Sequence, residues 1–205
     1  CRQNVSAART PKKVQVLMIP KTKILALLAR YGGDILSAAA MRTQENYTQH
    51  GTTSVYLHCV NVAYVSVQLA LFLRLHVNYR ALVRGALLHD YFLYDWHVPS
   101  ETHRGHGFTH AHTALRNASR DFTLNAVERD VIARHMFPLN LTPPRYRESV
   151  LVCLADKFCA VTETLRLPIP GADVRRFCRR YPIRPTDHRK GECENEGSGS
   201  QLQHR

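Results

Sequence analysis

Cysteines at metal-finger or redox spacing are missing from this chain: its six, at positions 1, 59, 153, 159, 178 and 193, form no C-x-x-C pair and no regular framework. A zinc ribbon or disulfide scaffold is therefore not expected. A reduced, cytoplasmic chain is, with Cys59, Cys153 and Cys159 acting as small apolar residues on helices. There is no glycine-rich phosphate loop and no G-x-S-x-G elbow, which removes P-loop and nucleophilic-serine chemistry. No segment reads as a convincing strand, and no internal repeat is visible. Only residues 55–73 approach membrane length, and they carry His58, Asn61, Ser66 and Gln68, so a buried core helix is expected there and no membrane partner. The early apolar run 16–19 is too short for a secretory signal.

Acidic residues are also scarce, 16 against 28 Lys and Arg, for a net charge of +12. The imbalance is local. Residues 1–30 carry seven basic side chains and no acid, residues 166–205 carry nine against five, and the stretch between carries twelve against eleven. A nearly neutral centre with basic flanks reads as a solvated periphery, so nucleic acid is disfavoured as a partner.

The 205 residues fit one domain, and the periodicity is helical throughout, so an all-α fold is expected. A basic arm covers 1–20, the helical domain 21–170, and a basic, polar and partly disordered tail 171–205. Within the domain, helices are expected over 21–31, ended by Gly32 and Gly33; within 34–49, with Gly51 as a breaker; and from a Thr52 or Thr53 cap to about 75. Further helices fit 79–91, 109–122, 125–136 and 145–166, with capping-box spacing between Asn125 and Glu128. A short basic helix is expected beyond Pro170. The aromatic, His, Gly and Pro-rich segment 92–109 reads as a long functional loop.

Against that apolar background stands the pair His89-Asp90, at the end of an apolar segment starting at Tyr79. His58 precedes it, His110 and His135 follow, and Asp156 closes the series. His58 shares a helical stripe with Val55, Val62 and Val65, His89 with Leu82, Gly85 and Ala86, His135 with Val131 and Ile132, and Asp156 with Val152, Ala155 and Cys159. One inward histidine is ordinarily a hydrogen-bonded core residue. A buried carboxylate is harder to satisfy, and four polar residues facing inward from four helices favour a shared metal site. Adjacent residues diverge by about 100° on a regular helix, so His89 and Asp90 reach one site only if the helix ends there. A carboxylate so placed can offer one oxygen to each of two cations.

The series His58, His89-Asp90, His110, His135, Asp156 resembles the HD-domain superfamily of metal-dependent phosphohydrolases, over roughly residues 50–166. Segments 134–139 and 155–158 look like those of a bacterial subgroup of it. The resemblance implies a helical bundle and two divalent cations, Mn²⁺ or Fe²⁺ being favoured and Zn²⁺ compatible. His58, His89, Asp90 and Asp156 would hold one cation, and Asp90, His110 and His135 the other. The implied activity is hydrolysis of a phosphate ester or anhydride of a small metabolite or nucleotide by metal-activated water, with Asp90 as the bridge. Two departures stand out, the first bearing on substrate class and the second on ligand identity. Residues 91–94 replace the usual Gly-Lys turn, and His112 stands as a rival ligand beside His110.

Among neighbouring residues, His106 between Gly105 and Gly107 is the expected proton donor or supporting partner, and Lys157 the first choice to neutralise a phosphate, ahead of Arg84, Arg145 and Arg147. His97 and His103 read as solvated loop residues. Tyr91, Tyr94 and Trp96 offer an aromatic wall or, more commonly, core. The alternatives to a hydrolase are an HD-type di-iron oxygenase and a non-catalytic nucleotide- or metal-binding module. An oligomer is compatible with either.

Overall fold

The computed structural model describes residues 19–98, 105–167 and 174–181. The chain passes through α1 (Lys21–Leu36), α2 (Ala39–Thr43), a 3-10 turn (Gln44–Asn46), β1 (Thr48–His50), β2 (Thr53–Ser54), α3 (Val55–Phe72), α4 (Tyr79–Leu88), α5 (His106–Asp121), α6 (Ala126–Arg134), α7 (Arg147–Thr164) and α8 (Val174–Cys178). The fold is all-α apart from the antiparallel β1–β2 hairpin, which the sequence did not announce. The expected arm and tail lie outside the described residues, save for the short basic helix α8.

Caps set the helix starts. Ser54 accepts a hydrogen bond from Leu57 N at 3.3 Å and opens α3. Neither Thr52 nor Thr53 serves, because the hairpin holds Thr53 in its ladder opposite His50 and the chain leaves extended backbone only at Ser54. Asn78 accepts from Ala81 N at 3.1 Å and opens α4. Asn125 and Glu128 form the reciprocal capping box of α6.

Tertiary packing overrides local propensity in α1. The helix continues through Gly32 and Gly33 to Leu36 instead of stopping at 31. Gly32 is buried against α4, where a Cβ would run into the Leu87 side chain, so this glycine permits close helix contact and does not end the helix. The expected helix within 34–49 is likewise broken into α2, the 3-10 turn and β1. Gly51 turns the hairpin at φ +58°, and a Cβ there would lie 2.7 Å from Glu163 O, so the hairpin tip presses directly on the end of α7.

Helix α3 is the structural centre, buried on nearly every side and packed against α1, α4, α7 and α8. Among the described helices it alone is long and apolar enough to cross a membrane, and 72% of that window is buried inside the fold. Helix α4 lies between α1, α3, α6 and α7, and α5 packs on α6. This arrangement directs the ends of α4 and α6, the first turn of α3 and the middle of α7 toward one point.

Candidate metal centre

Two helix ends use the same device. His89 follows the last residue of α4, and His135 follows the last residue of α6; both retain helical backbone. In each, Nδ1 lies 2.8 Å from the carbonyl three residues back, Ala86 O and Ile132 O respectively. Donating Nδ1–H to an otherwise orphaned helix-end carbonyl fixes the ring orientation and turns Nε2 inward. Asp90 comes immediately after His89, where the helix has given way to a turn, which resolves the angular divergence of two adjacent residues.

Asp90 stands between two groups. Its Oδ2 lies 3.5 Å from His89 Nε2 and 3.9 Å from His58 Nε2. Asp156 Oδ1 lies 3.1 Å from His58 Nε2 and 3.6 Å from His89 Nε2. On the other side, Asp90 Oδ1 lies 3.3 Å from His110 Nε2 and 3.4 Å from His135 Nε2, and these two nitrogens are 3.0 Å apart. All six residues are buried. His58, His89 and Asp156 present ligand atoms within 4.8 Å of one another, and so do His89, Asp90 and His135.

Burial by itself would neutralise these groups, but their mutual contacts prevail. Desolvation opposes ionisation of Asp90, yet His89, His110 and His135 hold it well below the usual carboxylate range. Asp156 is held low against burial by His58 and His89. Burial disfavours a charged His58, while hydrogen bonds to Asp156 and Glu163 outweigh it and raise its pKa to about 10. Burial keeps His135 below the usual histidine value. The carboxylates are therefore anionic and the imidazole nitrogens converge on them.

Divalent cations fit this donor set. His89 Nε2 and Asp90 Oδ1 are buried and accept no hydrogen bond, a costly condition that a coordinated cation relieves. Mixed imidazole and carboxylate donors suit Mn²⁺, Fe²⁺ or Zn²⁺.

Three further residues complete the surroundings, and none was singled out from sequence. Glu163, the penultimate residue of α7, has Oε2 2.8 Å from His58 Nδ1, and its Oε1 accepts from Asn61 Nδ2 at 2.9 Å. Gln49, on β1, donates from Nε2 to Asp90 Oδ2 at 2.6 Å. His50 sets its ring edgewise to His58, with centroids 5.2 Å apart. A three-residue strand carries too little alternation to point at either hairpin residue. Glu163 had one usable signal: it lies seven residues, two helical turns, after Asp156 on the same face.

The remaining expected residues divide. Lys157 lines the cavity over the cluster, and its ammonium donates to His135 O at 3.0 Å and touches Cys153 O and Sγ, so it ties the end of α6 to α7. His106 opens α5 one turn before His110. His112 is exposed and away from the cluster, which removes it as a rival ligand. Arg84 is not at the site; it pairs with Asp34 at 2.8 Å. Arg145 and Arg147 are exposed outside the cavity. His97 is exposed beside Asp95, and His103 lies outside the described residues. Of the three aromatics, Trp96 lines the cavity, whereas Tyr91 donates to Asp121 and Tyr94 packs on Phe92.

A family model described as HD domain matches residues 55–161, more than half of the chain. This chain belongs to the HD-domain family. The family includes metal-dependent hydrolases, and the matched HD-domain region contains all six converging residues. Gln49, His50 and Glu163 fall just outside the matched residues. Neither a search of curated proteins nor one of solved structures gives a match.

Proposed function

We propose that this HD-domain protein is a metal-dependent phosphohydrolase that cleaves a phosphate ester or anhydride of a small metabolite or nucleotide. The observation that carries the reading is Asp90, whose two oxygens face two separate histidine-containing groups across a single carboxylate. In this reading His58, His89, Asp156 and Asp90 hold one divalent cation, and Asp90, His110 and His135 hold a second, Mn²⁺ or Fe²⁺ being preferred. Cations so held polarise a phosphoryl oxygen and acidify water.

The chain's own residues supply the rest. Glu163 fixes the His58 tautomer and raises its basicity. Lys157 positions His135 through its backbone oxygen while bringing positive charge to the cavity wall. His106, one turn from His110 at the start of α5, is the proposed proton donor to the leaving group. The four buried free thiols suit a reducing, cytoplasmic compartment.

The test joins metal analysis of protein purified without chelators to a phosphatase and nucleotide screen with Mn²⁺. The wild type should carry close to two cations and release phosphate. Asp90→Ala should lose both cations and turnover, and a variant that kept two cations would overturn the bridging role. Turnover that consumes oxygen would overturn the hydrolase reading.

A further inference from the structure

The cavity over the cluster has a volume of about 680 Å³ and two unlike walls. One wall is the cluster itself, with Asp90, His110, His135 and Asp156. The other is apolar, built from Trp96, Met136, Pro138, Leu139 and Ala160. Among the described residues lining it, Lys157 is the single permanently cationic side chain, and its ammonium already serves His135 O, Cys153 O and Cys153 Sγ. Arg84, near in sequence, is committed to Asp34 on the far side of α4.

A nucleoside diphosphate or triphosphate brings several negative charges, and each phosphate beyond the one at the cluster would need its own cationic or N–H partners. Among the described lining residues none but Lys157 is permanently cationic, and the Gln49 amide is committed to Asp90. The lining offers instead a hydrocarbon surface on which a polyanion gains nothing and an apolar group gains by leaving water. A cavity of this size also exceeds what one phosphate group fills.

Taking the phosphohydrolase reading as its basis, we infer that the substrate is a phosphate monoester with an apolar alkyl or aryl body. Its phosphoryl group sits at the His/Asp cluster, and its body lies against Trp96, Met136, Pro138 and Leu139. Selectivity then comes from the length and shape of the body, which is read by burial and not by hydrogen bonds.

Trp96 is the chain's single tryptophan, so its emission reports on this wall alone. The full-length protein, loaded with Zn²⁺, is titrated with methyl-, ethyl-, propyl- and butylphosphonate, followed by Trp96 fluorescence and by calorimetry. These phosphonates bind without turnover. Affinity should rise about fourfold per added methylene, the effect of burying one such group, and Trp96 emission should shift as the chain lengthens. Leu139→Arg, at a half-exposed position on the apolar wall, should flatten this dependence while leaving the metal content unchanged.

Equal affinity across the series, no phosphonate binding, or tighter binding of a nucleoside diphosphate than of butylphosphonate overturns the inference. The hydrolase reading fails separately. Chain-length-dependent binding with no hydrolysis of the matching alkyl or aryl phosphates upholds the ligand class and removes the activity. Hydrolysis of phosphate esters regardless of the body upholds the activity and removes the ligand class.

Discussion

Gly85 lies one turn before His89 and Val131 one turn before His135, so this contact between α4 and α6 sits one turn from the cluster. A Cβ placed on Gly85 would stand 2.8 Å from Val131 Cβ and Cγ1 and 3.0 Å from Cγ2. Ordinary contact begins at 3.4 Å, so Gly85→Ala must part the helices by about 0.6 Å. A core packed to crystal density does not absorb that shift without strain, and overpacking of this kind costs about 1–3 kcal/mol. The displacement also exceeds the ~0.5 Å within which a binding constellation must be held. His135 and Asp90, now 3.4 Å apart, ride on opposite sides of the opening. Gly85→Ala should therefore lower the urea midpoint and weaken metal binding at least about tenfold, measured by calorimetric titration of chelator-treated protein. Val131→Ala removes the two Cγ contacts but leaves the Cβ contact, so the double variant should recover part of both losses and give a nonzero coupling energy. Wild-type stability together with wild-type metal affinity in Gly85→Ala would refute the argument that this glycine sets the spacing.

The remaining predictions test other links. Glu163→Gln keeps the shape beside His58 but removes the charge, and metal affinity should fall about 10–100-fold with the helical circular dichroism unchanged; an unaltered titration would show that Glu163 does not tune His58. Glu128 is fully buried, completes the α6 capping box and pairs with Arg80 at 2.6 Å, so Glu128→Ala should cost about 2–3 kcal/mol in denaturant melts while metal stoichiometry stays at the wild-type value. Burial pushes the Cys178 thiol from 9.0 up to about 11. The neutral thiol is the form the fold favours, so this contribution is present below pH 9 and is lost as pH rises through about 11. Burial of the Tyr56 and Tyr91 phenols acts with the same sign. The melting temperature should accordingly decline across that window, and iodoacetamide at pH 8 should label Cys178 in denaturant but not in the native protein. Labelling of the native protein at the denatured rate would contradict the burial.

What could be read in advance depended on periodicity. His58, His89, His135 and Asp156 each recur on a stripe of apolar neighbours, so a helical sequence alone places them inward, and the structure brings them together with His110 and Asp90. The Asn125–Glu128 box was legible because its partners are local. Failures came where the deciding contact is remote in sequence. The helix through Gly32 and Gly33 depends on Leu87 and Val83, some fifty residues on, and local propensity contains no trace of them. Gln49 and His50 owe their position to a hairpin pressed on Glu163 O, and Arg84 owes its removal from the site to Asp34. Lys157 stood out in the sequence by its place beside Asp156 and lines the cavity, but its bond to the His135 carbonyl required the turn that ends α6.

The His58–Glu163 contact joins residues 105 positions apart, and His58–Asp156 joins residues 98 apart. Such pairings form only after a long stretch of chain has closed on itself, which costs loop entropy before any contact repays it. During synthesis, α3, α4, α5 and α6 can all emerge and pack while the cluster still lacks Asp156 and the support of Glu163. The group proposed for the first cation then has three of its four ligands, and its full affinity would arrive only with Asp156 on α7. Capture of that cation would in this sense be a late step of folding. Once made, it draws the equilibrium toward the completed fold by mass action, by about 2.7 kcal/mol when free metal is a hundredfold above its dissociation constant.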